Sequence, residues 1–220
     1  MPEQQDEDLW YQVYLMQEGK HVHAGHFHVV RTRDADGHRV LDQQIIFHGP
    51  GVDHEARSRM VLERRGGRYM PISVRYTEPK LEARMSFEQG RIHATGAAES
   101  HDGSSVPDDA MPTYGIATLA NTIYNQPEAT LNFDAMVDST GAMCGHDAKL
   151  VAKGMTRKTP FPTLDPLWEV LWLSNEGTRV QAFYFDDEGT LEQADWGGTA
   201  ARLVQTEEDA RPAKSKPAKA

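Results

Sequence analysis

Four histidines, His21, His23, His26 and His28, fall within eight residues, and His48 and His54 follow. Neutral imidazole is a common ligand for zinc or copper. On a regular strand side chains alternate between faces, so His21 and His23 would point one way and His26 and His28 the other. A bulge at Gly25 shifts the register, gathers all four on one face and leaves Val22, Ala24, Phe27 and Val29 opposite them. The spacing therefore predicts a bulge or sharp bend at Gly25. It offers three uses for the stripe: a zinc or copper site, a pH response, or a polar face that is rich in histidine.

The single cysteine lies in Cys144-Gly145-His146-Asp147, which sets thiol, imidazole and carboxylate close in sequence. Nucleophilic catalysis needs a thiolate aligned with its base, and the Gly-rich stretch Ser139 to Asp147, read as a loop, does little to align them. An enzyme using Cys144 is thus an alternative function, and a free loop thiol or small packing residue the plainer reading. Asp186, Asp187 and Glu188 lack the spacing of a calcium loop and suit a hairpin turn. Gly66-Gly67 and Gly197-Gly198 have no strand-to-helix context for phosphate. With no paired acids, serine elbow or dinucleotide fingerprint, no catalytic residue and no resident cofactor are expected.

These residues need elements to position them, and most are strands. Trp10 to Met16, the Glu18-Gly19-Lys20 turn and His21 to Val30 form an opening hairpin. Asp34-Ala35-Asp36-Gly37 is a turn, since Asp and Gly supply positive φ. Period-2 alternation then runs through Val40–His48, His54–Arg64, Tyr69–Thr77, Leu81–Glu88 and Arg91–Ala97. In the second of these, Ala56, Ser58, Met60 and Leu62 share one face, and Glu55, Arg57, Arg59 and Glu63 the other. Such a pattern places one face on a core and one in water. Glu99 to Asp109 reads as a loop. Ile116, Leu119, Ala120 and Ile123 follow helical spacing, predicting one helix over Tyr114–Tyr124 capped by Thr113. Strands resume at Ala129–Val137 and Lys149–Arg157. After the Pro160/Pro162 connector come Leu167–Leu173, Thr178–Phe185, Leu191–Trp196 and Ala200–Val204. The first of these is apolar on both faces and should be covered on both.

Residues 1–8 read as a flexible acidic leader, 9–206 as a single β-rich domain and 207–220 as a disordered charged, then basic Pro/Ala/Lys tail. The fold class is mainly β: a strongly curved antiparallel sheet, a half-barrel or open barrel, with one helix packed on it. The 220 residues carry a net charge of −10, and four of the 23 bases lie in the final ten residues, so the body is more acidic still. That balance argues against a nucleic-acid partner. No apolar run reaches the roughly 20 residues of a membrane span, so a transmembrane chain is not expected. One cysteine excludes an intrachain disulfide and leaves the compartment open.

The Trp10-Tyr11-Gln12-Val13-Tyr14-Leu15 opening, the glycine turn into Ala24-Gly25-His26, the helix near Tyr114-Gly115 and the late Asp187-Glu188-Gly189-Thr190-Leu191 turn resemble poorly characterised exported bacterial β-domains. Their architecture is similar to the periplasmic lipoprotein-carrier half-barrels. The likeness spans about Trp10 to Thr206 and departs from the usual opening in the histidines around Gly25. It implies export, a periplasmic location once a signal is removed (cytoplasmic otherwise), and handling of a hydrophobic ligand; it implies no catalytic residue. The opening also looks like β-domains that precede transglutaminase-like cores, but no such core follows.

A curved sheet has a concave face to fill. The expected apolar groove is lined by Met60, Met85, Trp168 and Trp172, with Ile116, Leu119 and Ile123 lying over it. Methionine suits adaptable apolar contact, so a lipid or other hydrophobic small molecule is the expected partner. The leading function is then a non-enzymatic binding or structural domain of an exported bacterial protein. The alternatives are a metal-binding module on the histidine strand and an enzyme using Cys144.

Overall fold

The computed structural model describes residues 6–49 and 51–212. Seven strands occupy the first hundred residues: β1 (Glu7–Gln17), β2 (Lys20–Arg33), β3 (Arg39–Gly49), β4 (Val52–Arg65), β5 (Arg68–Glu78), β6 (Leu81–Glu88) and β7 (Arg91–Gly96). A short strand β8 (Ala110–Pro112) leads into helix α1 (Ile116–Ala120). Then follow β9 (Thr130–Met136), β10 (Met143–Thr156), β11 (Leu167–Leu173), β12 (Arg179–Phe185), β13 (Leu191–Trp196), β14 (Thr199–Val204) and a helical turn α2 (Glu207–Ala210).

All fourteen strands form one sheet, in the order β7-β6-β5-β4-β3-β2-β1-β14-β13-β12-β11-β10-β9-β8. Two meanders therefore spread outward from a central seam where β1 pairs antiparallel with β14. Among the described residues every ladder between these strands is antiparallel except β8 against β9. The sheet curls until its two wings meet: Arg68 at the start of β5 donates from Nη2 to the carbonyl of Asn132 in β9 at 2.7 Å and to that of Asp109 at 3.3 Å. The result is mainly β, a single strongly curved open sheet. No helix among the described residues is long and apolar enough to cross a membrane.

The alternation read from the sequence becomes an inside and an outside. In β4 Ala56, Ser58, Met60 and Leu62 are buried while Glu55, Arg57 and Arg59 are exposed. Tyr11, Val13, Val29, Leu41, Val74, Tyr76, Met85, Ile92, Leu150, Val170, Phe183 and Phe185 join Met60 and Leu62 in one core. Each such large side chain contributes roughly 1.5–3 kcal/mol by leaving water. A smaller cluster of Leu167, Ala182 and Tyr184, with Leu171 against it, lies apart from the main core.

The opening hairpin bends where its glycine predicts. Val13 pairs with Gly25 and Tyr14 with His23, so Ala24 is the extra residue of a bulge. Gly25, rather than Ala24, takes the place opposite Val13 on the core face. Only glycine fits there: a Cβ would sit 1.9 Å from the Ile46 carbonyl oxygen of β3.

Several expectations need correction. The helix expected over Tyr114–Tyr124 is shorter, a 3-10 turn at Thr113–Gly115 running into the five residues of α1. Thr113 does not cap it; its hydroxyl donates to Asp138 instead. The loop expected from Ser139 to Asp147 ends early, because Met143 already starts β10 and places Cys144 and His146 on a strand with two register shifts. Residues 207–220 are not structureless throughout: Thr206 caps α2 by accepting from the amide of Asp209, and Ala210 is buried. Of the acidic leader, Glu7 and Asp8 belong to β1. Residues 1–5 and 213–220 lie outside the described residues.

Candidate functional site

The seven residues expected to line a groove lie in or against one packed core. Met60, Ile116 and Leu119 are fully buried, Met85, Ile123 and Trp172 nearly so, and Trp168 packs at the edge. Gly115 brings the 113–123 segment down onto the sheet; a Cβ there would come within 2.5 Å of the Met111 sulfur and 2.9 Å of the Met60 sulfur. Trp172 lies 5.7 Å from Phe133, ring to ring. Trp168 donates from Nε1 to Asp187 Oδ1 at 2.8 Å and meets Tyr124 edge-on. The concave face is thus filled by the chain's own side chains, and Met85 and Trp172 sit on strands in opposite wings.

A buried carboxylate holds that filling in place. Asp138, 1% exposed, follows β9 and accepts from the Thr113 hydroxyl, the Tyr114 amide at 3.2 Å and the Ser58 hydroxyl at 3.4 Å. Burial pushes its carboxyl up from the ordinary value to about 6, against the lowering effect of these donors. Gln43 adds a bond from Nε2 to the Tyr114 carbonyl at 3.1 Å. Burial also pushes the Tyr114 and Tyr76 phenols above the ordinary tyrosine range.

The histidines occupy the other face. Because of the bulge, His21, His23, His26 and His28 pair with Met16, Tyr14, Gln12 and Trp10 in turn, so all four imidazoles share one side. Each has its own surroundings. His28 stacks on Trp10 with centroids 3.8 Å apart and bonds Asp8 at 2.7 Å. His23 Nε2 lies 3.0 Å from both the Gly25 and Ala210 carbonyl oxygens, which suits a protonated Nε2. His21 rests against Phe161 of the proline connector at 4.8 Å. His26 is 8% exposed, and burial, aided by Arg211, lowers its pKa. The α2 turn lies over this row: Gln12 Nε2 donates to the Asp209 carbonyl at 2.7 Å, while Gln12 Oε1 accepts from Tyr14 and Arg202.

Elsewhere the chemistry-bearing residues have structural work. Among the described residues, the side chains whose ligand atoms converge within 4.8 Å are Asp34, Asp36 and His38, not the four histidines. Asp34 Oδ1 there closes the β2–β3 turn by accepting from the amides of Asp36 and His38. His146 faces Asp134 at 3.3 Å. Cys144 is exposed, and partial desolvation together with the Asp138 charge pushes its thiol up, away from the thiolate a nucleophile requires.

One grouping went unread in the sequence. On the outer face of the first wing Arg59 lies opposite Arg75, and Arg75 opposite Arg84. A surface trough of about 610 Å³ runs over them, lined also by Ser73, Ser86, Thr95 and His93. The alternation of β4 and β6 puts these arginines outside, but their alignment depends on strand register, which no local signal fixes.

No protein-family model matches the chain, and no curated protein matches it. Among solved structures it is similar to a β-barrel-like protein of a domain of unknown function, DUF1849, from Brucella abortus. That likeness has 10% identity, a TM-score of 0.50, and covers 90% of this chain and 94% of the other. A protein of the DUF1329 family from Desulfovibrio piger aligns over 91% of this chain and 84% of its own, at 12% identity and a TM-score of 0.32. The first likeness is one of fold, and it agrees with the curved, barrel-like sheet.

Proposed function

We propose that this chain is a non-enzymatic binding or structural domain of an exported bacterial protein, and that it works through the outer face of its sheet. The observation that carries the reading is the packed interior: Ile116, Leu119 and Ile123 lie in one core with Met60, Met85 and Trp172. To admit a hydrophobic ligand the 113–123 segment would have to leave, breaking the Asp138 bonds and returning three large side chains to water. That costs roughly 1.5–3 kcal/mol per side chain, against about 0.8 kcal/mol gained for each buried CH₂ of a lipid. Displacement of a fluorescent fatty acid tests this directly. No saturable binding at micromolar probe and unchanged tryptophan emission are expected. Saturable displacement would instead make the domain a carrier of lipid or another hydrophobic small molecule.

A zinc or copper site is the second reading, favoured by four imidazoles on one face. Binding would have to draw His23 from its two carbonyls and His28 from Asp8. Elemental analysis of the purified full chain checks it: stoichiometric metal, lost in a His26→Ala/His28→Ala variant, would support that reading.

A further inference from the structure

We propose that the trough over β4, β5 and β6 binds a soluble small molecule through a phosphate group seated among Arg59, Arg75 and Arg84. Like charges directly opposite on a ladder are destabilising, yet here three guanidinium side chains stand in line across three strands. They do so in a chain whose net charge is −10. All three are more than half exposed, so packing does not force the arrangement.

The counter-charges present do not answer the row. Arg57 takes both oxygens of Asp42, at 2.9 and 3.0 Å. Arg59 is left 3.6 Å from an oxygen already in use. On the other side a single oxygen of Glu82 serves Arg75 at 3.0 Å and Arg84 at 2.8 Å. Four guanidinium groups thus share two carboxylates. Each guanidinium carries five N–H donors in a planar fork, so these contacts leave most of the donor capacity unused.

Shape and chemistry together select the occupant. The depression of about 610 Å³ adjoins a second of about 370 Å³ that shares Arg59 and Arg75 with it. These are the dimensions of small-molecule sites. The Ser73, Ser86 and Thr95 side chains line the same floor, and Asp102, 4.0 Å from His93, marks one end. A carboxylate ligand would offer no more than Asp42 and Glu82 already do. A phosphate monoester brings nearly two charges and three acceptor oxygens, and arginine forks match it in pairs. The groups line a shallow, open depression, whose concavity favours a small ligand free in solution over the flat surface of a bilayer.

The inference rests on the reading that the outer face does the work, but the two are tested apart, since fatty-acid displacement probes the interior alone. Inorganic phosphate and pyrophosphate would be titrated into the full chain at low ionic strength by calorimetry, because salt screens exposed charges. Saturable binding is expected, weakened about tenfold or more by Arg75→Gln and by the paired Arg59→Gln/Arg84→Gln, in line with loss of a charged hydrogen bond. Arg179→Gln, on a strand of the other wing, should leave affinity unchanged, and the melting temperature of each variant reports its folding. No saturation by about 10 mM, or equal loss in Arg179→Gln, would overturn the proposal. So would binding to phosphatidylglycerol vesicles with none to soluble phosphate, which would make the face a membrane contact.

Discussion

Asp138 and His26 are both titratable, both buried and on opposite sides of the same sheet, and they are buried by different means. Asp138 draws three donors from two distant places, Ser58 of β4 and the Thr113–Tyr114 turn, and so pins the segment that fills the concave face. His26 is covered by a four-residue helical turn near the end of the described chain, held by Thr206 and by carbonyl bonds to Gln12 and His23. The inner cover buries large apolar side chains; the outer cover contributes Ala210. Regions with few buried apolar contacts open first. The interior should therefore behave as part of the global fold, and the outer cover as a unit that opens alone.

The largest effects should come from the inner cover. Leu119 is fully buried, and Leu119→Ala should cost about 3–4 kcal/mol through lost transfer energy and the cavity left behind. A denaturant midpoint that falls without a change of slope would show it; a loss under about 1 kcal/mol would mean the interior is loosely packed after all. Asp138→Ala removes the acceptor for three donors, Ser58 among them fully buried, and should cost about 2 kcal/mol.

The pH dependence of Asp138 sharpens the contrast. Its folded carboxyl sits near 6, above the ordinary 3.8, so the folded state binds the proton more tightly. The penalty for ionising it is fully present above about pH 6 and is relieved as pH falls toward the unfolded value, by about 3 kcal/mol in all. Between pH 7 and pH 5 this group alone should add roughly 1 kcal/mol of stability. Asp138→Asn keeps an acceptor and abolishes the titration. Its denaturant midpoint should change less between those pH values than that of the parent. Identical profiles would mean that Asp138 is charged at low cost.

Much of this architecture was legible because alternation is local. Ala56, Met60 and Leu62 against Arg57 and Arg59 declare an inside and an outside within one strand, and Gly25 declares its bulge through the histidines it aligns. The helix was legible as a face but not as a length: Ile116, Leu119, Ala120 and Ile123 are buried as their spacing requires, yet only five residues are α-helical. Asp138 was not legible. In Val137-Asp138-Ser139-Thr140-Gly141 it reads as a turn residue, and its burial depends on Ser58, eighty positions away. The seam between β1 and β14 was hidden for the same reason, as was the arginine row. Each depends on register between segments, and the histidine stripe was visible only because it lies on a single strand.

The smallest expected effect belongs to the outer cover. A chain ending at Thr206 loses α2, whose Ala210 carbonyl bonds His23, and Arg211, whose charge acts on His26. Stability should fall by only about 1 kcal/mol, the worth of a few exposed hydrogen bonds. The imidazole of His26 should respond more clearly. Burial is the chief cause of its lowered pKa, with the Arg211 charge second, so truncation should move its titration up toward the ordinary 6.5 in an NMR experiment. Loss of Glu207 acts the other way and is the weaker influence. The linkage follows: a base whose folded pKa is lowered contributes stability that is present above 6.5 and is lost as pH falls through the folded value. The full chain should therefore lose its outer cover on acidification, and the truncated chain should lack that component. Arg211→Gln in the full chain separates charge from burial, since it should raise the His26 titration by less than truncation does. An unchanged His26 titration after truncation would mean that α2 does not cover the histidine row in solution. The contrast between an anchored interior and a detachable outer cover would then fail at its weaker end.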